Sequence, residues 1–394
     1  MPAVISKELF YEKVKYDTSC DIFHAWCQDC RAASFSQIWL TELFTGLGKF
    51  FLPIYLIKLI YTYKRNDLKT LLLNLVKSEL RSIAYGLAMG TLLVSSICFL
   101  RFIFGRIYYY NVALIPGFFS GLSILVESEE NQVLDTLIFF NSFVETILRR
   151  MRLDKLMETL LFMGVSGTLM HLLEQRSTVK MEFTHLWFYV PPSKNLSDKD
   201  IEDLSDSCVA AAYLQTDLFR SFLKYFSLGY GINFVRKMIP KVGNILKKPS
   251  ELLKVLFNKS NAYFGLFIGS YVTIYRVLTS IFSKNPIVGE KYHGFVAGLL
   301  SGISYSISPN LQVLVIAITT SLQMIYACFC KKMKITNHYW QRFFVYALTH
   351  GIMIHNKFFY PDTCSPYYKN MIDACTNNVS KKIYEHLLTK FFLV

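Results

Sequence analysis

Ten apolar stretches occupy most of this chain, at about 38–63, 82–104, 107–126, 133–148 and 156–173, then at about 214–240, 262–282, 293–308, 311–329 and 340–356. Inside a hydrocarbon layer each backbone N–H and C=O must be satisfied within the protein, so apolar runs of this length fold as helices. A hydrocarbon core of about 30 Å takes roughly 20 residues, and several of the runs reach that length. The runs 133–148 and 340–356 are short, and need tilt, a longer true span or burial among other helices. Hydrophobic residues make up 53% of the chain, charged residues 18%, and the mean hydropathy is +0.31. The expected class is an all-α polytopic membrane protein with eight to ten spans.

The runs fall five and five, and short motifs recur in register between the halves. Thr41, Glu42, Leu43 and Phe44 followed by Lys49 answer to Thr216, Asp217, Leu218 and Phe219 followed by Lys224. Gly86 and Gly90 answer to Gly265 and Gly269; Gly117, Ser120, Gly121 and Ser123 to Gly298, Ser301, Gly302 and Ser304; Glu145 to Gln323; and Gly167 with His171 to Gly351 with His355. This pattern predicts an internally duplicated helical bundle of about four spans per copy, each opened by an interfacial amphipathic helix. The predicted division is a cysteine-containing N-terminal segment (1–35), a first repeat (36–190), an acidic linker (191–210), a second repeat (211–360) and a C-terminal tail (361–394). The linker begins at Pro191-Pro192 and carries Asp198, Asp200, Glu202, Asp203 and Asp206.

The net charge of +14 comes from basic residues that flank apolar runs. Lys64, Arg65, Lys69 and Lys77, and the matching 241–259 connector, therefore read as headgroup contacts; nucleic acid is not expected. Glu42 with Lys49, and Asp217 with Lys224, place charges on one helical stripe, which asks for the interface or a polar groove. Residues 1–35 hold five acidic residues and no continuous apolar run, so internal targeting is expected. Nine cysteines, with Cys98, Cys328 and Cys330 inside apolar runs, point to a reducing compartment.

Small residues four apart are the strongest local signal: Gly86 and Gly90, Gly117 and Gly121, Gly265 and Gly269, and Gly294, Gly298 and Gly302. They are the residues through which helices pack closely in lipid. Asn141 with Glu145, and Thr319 with Gln323, are intramembrane polar groups that either bond between helices or line a shared polar centre. The segment Cys20, His24, Trp26, Cys27 and Cys30 leaves three readings open: a compact zinc site, thiol redox chemistry, and a structural cap built on Trp26. No nucleotide loop, nucleophile elbow or paired zinc-protease histidines occur, so neither an enzyme nor a cofactor is expected.

The opening Cys20, His24, Trp26 and Cys30 resembles the cysteine-rich start of the transmembrane protein 135 family of peroxisomal membrane proteins. Leu256, Asn258, Lys259, Asn261, Gly265, Phe267, Gly269, Ser270, Tyr271, Ile274 and Tyr275, followed by Phe295, Ala297, Gly298, Ser301 and Gly302, are similar to that family's most recognisable stretch. The family is distantly similar to the mitochondrial inner-membrane translocase channel subunits. The resemblance implies a protein of mitochondrial and peroxisomal membranes, linked to fission and fusion balance through a dynamin-related fission GTPase, and to peroxisomal and cellular lipid metabolism. A transporter or channel-like bundle for a lipid or metabolite is the alternative.

Overall fold

Among the described residues every regular element is helical, as backbone satisfaction in lipid requires. The computed structural model describes residues 4–14, 23–24, 29–30, 32–62, 68–174, 207–241, 245, 248, 250–284, 289–334 and 339–391. In chain order these hold α1 (Lys7–Lys13), α2 (Gln37–Thr62), α3 (Leu68–Phe104), α4 (Leu114–Ser120), α5 (Glu129–Met151) and α6 (Lys155–Glu174). After the linker come α7 (Ser207–Met238), α8 (Ser250–Leu256), α9 (Lys259–Lys284), α10 (His293–Ser301), α11 (Leu311–Lys332), α12 (Tyr339–Phe359), α13 (Pro366–Cys375) and α14 (Val379–Phe391).

Local chemistry sets the ends of these helices. The Ser6 hydroxyl accepts the Leu9 amide at 3.2 Å and opens α1, and the Asn310 side chain accepts the Gln312 amide at 3.1 Å and opens α11. α5 carries Glu129 and Glu130 in its first turn and Arg149 and Arg150 in its last, in line with the helix dipole, and ends where Arg152 turns left-handed at φ 48°. α4 and α10 tighten into 3-10 turns, Gly121–Val126 and Gly302–Ile307. The repeated Gly-x-x-Ser motif explains the tightening, because Ser120 donates to the Gly117 carbonyl at 2.8 Å and Ser301 to the Gly298 carbonyl at 3.0 Å.

Five helical segments are long and apolar enough to cross a membrane: Gln37–Ile57, Leu72–Phe104, Lys155–Glu174, Ser250–Ser283 and Leu311–Lys332. In the best apolar window of α3 only 11% of residues are buried by protein, and Phe99 and Phe102 are exposed. Such a surface suits contact with lipid. The expected eight to ten spans contract to these five among the described residues. The 107–126 and 293–308 runs form elements too short to cross alone, and α5 buries its apolar face against other helices of its unit.

The chain folds into two compact units that cut it differently from the sequence halves. One comprises Met1–Arg152 with Asn337–Val394, the other Leu153–Thr336. In the first, α2 pairs with α3, α3 with α4, and α4 and α5 receive α12. In the second, α7 pairs with α9, α9 with α10, and α10 and α11 receive α6. Each unit thus joins the first four segments of one half to the last helix of the other. The boundaries at 190 and 211 follow the linear repeat, whereas the units follow packing.

Glycines account for the received helices. A Cβ on Gly351 of α12 would lie 2.7 Å from the Leu114 carbonyl oxygen, and one on Gly117 would lie 2.8 Å from the Gly351 Cα. In the other unit a Cβ on Gly167 of α6 would lie 2.8 Å from the Phe295 carbonyl oxygen, and one on Gly298 2.8 Å from that of Ser166. Real Cβ atoms do not approach so closely, so α4 meets α12, and α10 meets α6, through bare backbone.

Candidate functional site

The C-terminal turn of α7 carries Arg236 and Lys237 and leads into a 3-10 turn ending at Lys241. These cations, with Lys254 of α8, border a cavity of about 620 Å³ also lined by the α8–α9 turn, Phe264 and the Ser308–Asn310 loop. Asparagines build its frame. Buried Asn261 donates to the Val255 carbonyl at 2.8 Å, and Asn233 donates to the Asn261 side-chain oxygen at 2.9 Å and to the Ser260 carbonyl at 3.1 Å. Asn258 receives the Lys237 ammonium at 3.1 Å and the Ser260 amide at 3.0 Å. A polar turn held this way stays open beside an apolar helix pair, because each buried amide has a partner.

Electrostatics give the cavity its character. Against four cations the lining offers one carboxylate, Glu251, which holds Lys254 at 2.6 Å. Partial burial, then the neighbouring charges of Arg236 and Lys241, push the Lys237 ammonium below the usual lysine range. An anion entering here would relieve that repulsion. Ile239, Leu253 and Phe257, which lie within two residues of lining residues along the chain, are exposed at 64%, 57% and 76%.

The other singled-out residues fall as follows. Gly86 and Gly90 of α3 face Leu47, Leu43 and Trp39 of α2; Gly265 and Gly269 of α9 face Phe226 and Phe222 of α7; Gly121 faces Ala347, Gly302 faces Met163 and Gly294 faces Glu174. Glu145 is buried, paired with Arg149 at 2.7 Å and accepting the Ser365 hydroxyl at 2.6 Å. Its counterpart Gln323, with Thr319, lies in the other unit, where the Thr319 hydroxyl donates to the Ile316 carbonyl at 3.1 Å. The Asn141 Oδ1 is buried without a partner. Lys69 and Lys77 are exposed, whereas Lys64, Arg65, Cys20, Trp26 and Cys27 lie outside the described residues. His171 stacks on Tyr292 and His355 on Tyr110, at matching places in the two units.

The polar partners of the two charged stripes escaped the sequence. The charged stripe of α2, expected at the interface or in a polar groove, is met by the turn after α13: Asn377 donates to Glu42 at 2.5 Å and receives Lys49 at 3.3 Å. In the other unit Asp217 pairs with Arg276 at 3.7 Å. The left-handed Asn377 and Asn378, φ 48° and 67°, were the local signal for that turn.

Residues 17–152 match the N-terminal cysteine-rich region of transmembrane protein 135. Over that region the match supports the transmembrane protein 135 family. The matched residues run from before His24 to the end of α5, so they take in α2, α3, α4 and α5 of the first unit. The second-unit cavity lies beyond the matched region. No solved structure matches the chain.

Proposed function

We propose that this chain is a non-enzymatic membrane protein of mitochondria and peroxisomes. It acts on mitochondrial fission and fusion balance and on peroxisomal and cellular lipid metabolism, and it engages anionic lipid headgroups through the cavity at Arg236, Lys237, Lys241 and Lys254. The transmembrane protein 135 resemblance supports the organelles and processes, and alone brings in a dynamin-related fission GTPase as partner. The observation that carries the lipid reading is the cavity, four cations against one carboxylate, on elements that also carry exposed Ile239, Leu253 and Phe257. Each cation held near an anionic membrane surface contributes about 1 kcal/mol.

The test uses the full-length chain, purified with its bound lipid, and the variant Arg236→Glu/Lys237→Glu/Lys254→Glu. Co-purifying anionic phospholipid is expected to fall severalfold in the variant, which should also fail to restore mitochondrial length in cells lacking the protein. Equal lipid content at equal abundance would overturn the headgroup reading. Normal mitochondrial length and lipid composition in cells lacking the protein would overturn the organelle reading.

The transport alternative has one observation of its own: α5 and α12 bury Asn141 Oδ1, His350 Nε2 and Asn356 Oδ1 without partners. Lipid flux in vesicles that disappears in Asn141→Leu would favour it.

A further inference from the structure

The N-terminal segment meets α3 at a point the linear motif did not include. Phe23 and Ile97 belong to one buried cluster of the first unit, and each is followed directly by a metal-binding type of side chain, His24 and Cys98. Cys30 joins them. The ligand atoms of His24, Cys30 and Cys98 all lie within 4.8 Å of one another, with His24 buried and both cysteines half-buried. We propose that His24, Cys30 and Cys98 bind one zinc ion that staples the N-terminal segment to the far end of α3.

The chemistry of the donors selects the metal. Zinc takes thiolate at about 2.3 Å and imidazole at about 2.0–2.1 Å in a tetrahedron, which sets neighbouring ligand atoms roughly 3.5 Å apart. The observed separations, within 4.8 Å, exceed that value by at most about 1.3 Å. Two thiolates and a neutral imidazole cancel the charge of Zn²⁺, leaving a neutral complex suited to a half-buried place beside Phe23 and Ile97. Copper(I) on the same donors would leave a net negative charge there, which burial disfavours. Binding breaks two S–H bonds, forms two Zn–S bonds and one Zn–N bond, and releases two protons to solvent. The fourth position is left to water or a further ligand.

The site differs from a zinc finger confined to Cys20–Cys30. One ligand comes from a helix some seventy residues later, so the ion ties two elements together instead of folding a short loop.

Zinc in the purified full-length protein, measured by elemental mass spectrometry, is expected at about one ion per chain. It should drop to background in Cys98→Ser and in His24→Ala, and stay unchanged in Cys328→Ser, whose exposed thiol sits on α11. Cys98→His should retain zinc, which separates loss of a ligand from loss of the fold. Cobalt substitution should give thiolate charge-transfer absorption that weakens in Cys98→Ser. Any of four results would overturn the proposal: no zinc in the wild type, full zinc in Cys98→Ser, copper in place of zinc, or a Cys30–Cys98 disulfide in non-reducing peptide maps.

Discussion

Glu145 shows how a buried charge is made tolerable. Its two oxygens are divided between Arg149, one turn on, and the Ser365 hydroxyl, while Thr146 beside it accepts the Ser365 amide at 3.0 Å. α5 thereby holds the start of α13. Removing such an acceptor leaves its buried donors unmatched, so Glu145→Leu should cost about 2–3 kcal/mol. Glu145→Gln, which still accepts from Ser365, should cost less. Thermal unfolding of both variants in one detergent checks the order. Lys357 and Asp373, paired at 2.5 Å with the lysine almost fully covered, are a second case. Asp373→Ala should lower stability by about 3 kcal/mol, and Lys357→Met/Asp373→Leu should recover most of that, measured by the same melts. Glu145 was legible as a costly intramembrane group, but its partner was not. Ser365 lies 220 residues away, and nothing in local spacing connects the two. His24 and Cys30 were legible as metal-binding residue types, while Cys98 looked like one more thiol in an apolar run until packing brought it to them.

At the scale of helices, glycine spacing was the most readable feature of the chain, because in lipid close packing depends on absent side chains. Which helices those glycines meet was hidden. Gly117 could have faced any neighbour, and only the fold shows it against Gly351. Gly351→Leu should therefore force α4 and α12 apart, at a cost of at least 1–3 kcal/mol. Gly164→Leu on α6, where a Cβ would meet nothing within 4 Å, should leave stability unchanged or slightly improved. Comparing the two by denaturant melts separates packing from helix propensity. The partner of the α2 charged stripe was hidden for a related reason. Glu42 and Lys49 suggest headgroups when α2 is taken alone, and the Asn377 turn that satisfies them lies at the other end of the chain.

For the whole molecule, the class, the helical content and the repeated order of segments were visible in hydropathy and motif, whereas the exchange of last helices was not, since it depends on contacts between distant stretches. The basic cavity sits in the second unit alone, and its response to pH follows from Lys237. Burial and its cationic neighbours already favour the neutral amine, and a bound anion favours the ammonium. Affinity for anionic vesicles should be full below the lowered pKa of Lys237 and fade as pH rises through it, before ordinary lysines titrate. Flotation of reconstituted protein across an alkaline series, at fixed salt, checks this, and Lys237→Arg should remove the early fall. Cleavage at a protease site inserted within 191–206 should leave both fragments co-purifying, because each carries a helix that the other's unit requires.

That same exchange sets a timetable for synthesis. Unit two is contiguous and has all its helices once residue 336 is made, but unit one is left open at residue 152 and waits 185 residues, from 152 to 337, for its closing helix to begin. At translation rates of roughly 5–20 residues per second, the bare glycine faces of α4 stay uncovered for about 10–40 seconds. Until α12 arrives those faces have no partner from within their unit, so a late stretch of the message completes an early stretch of the fold.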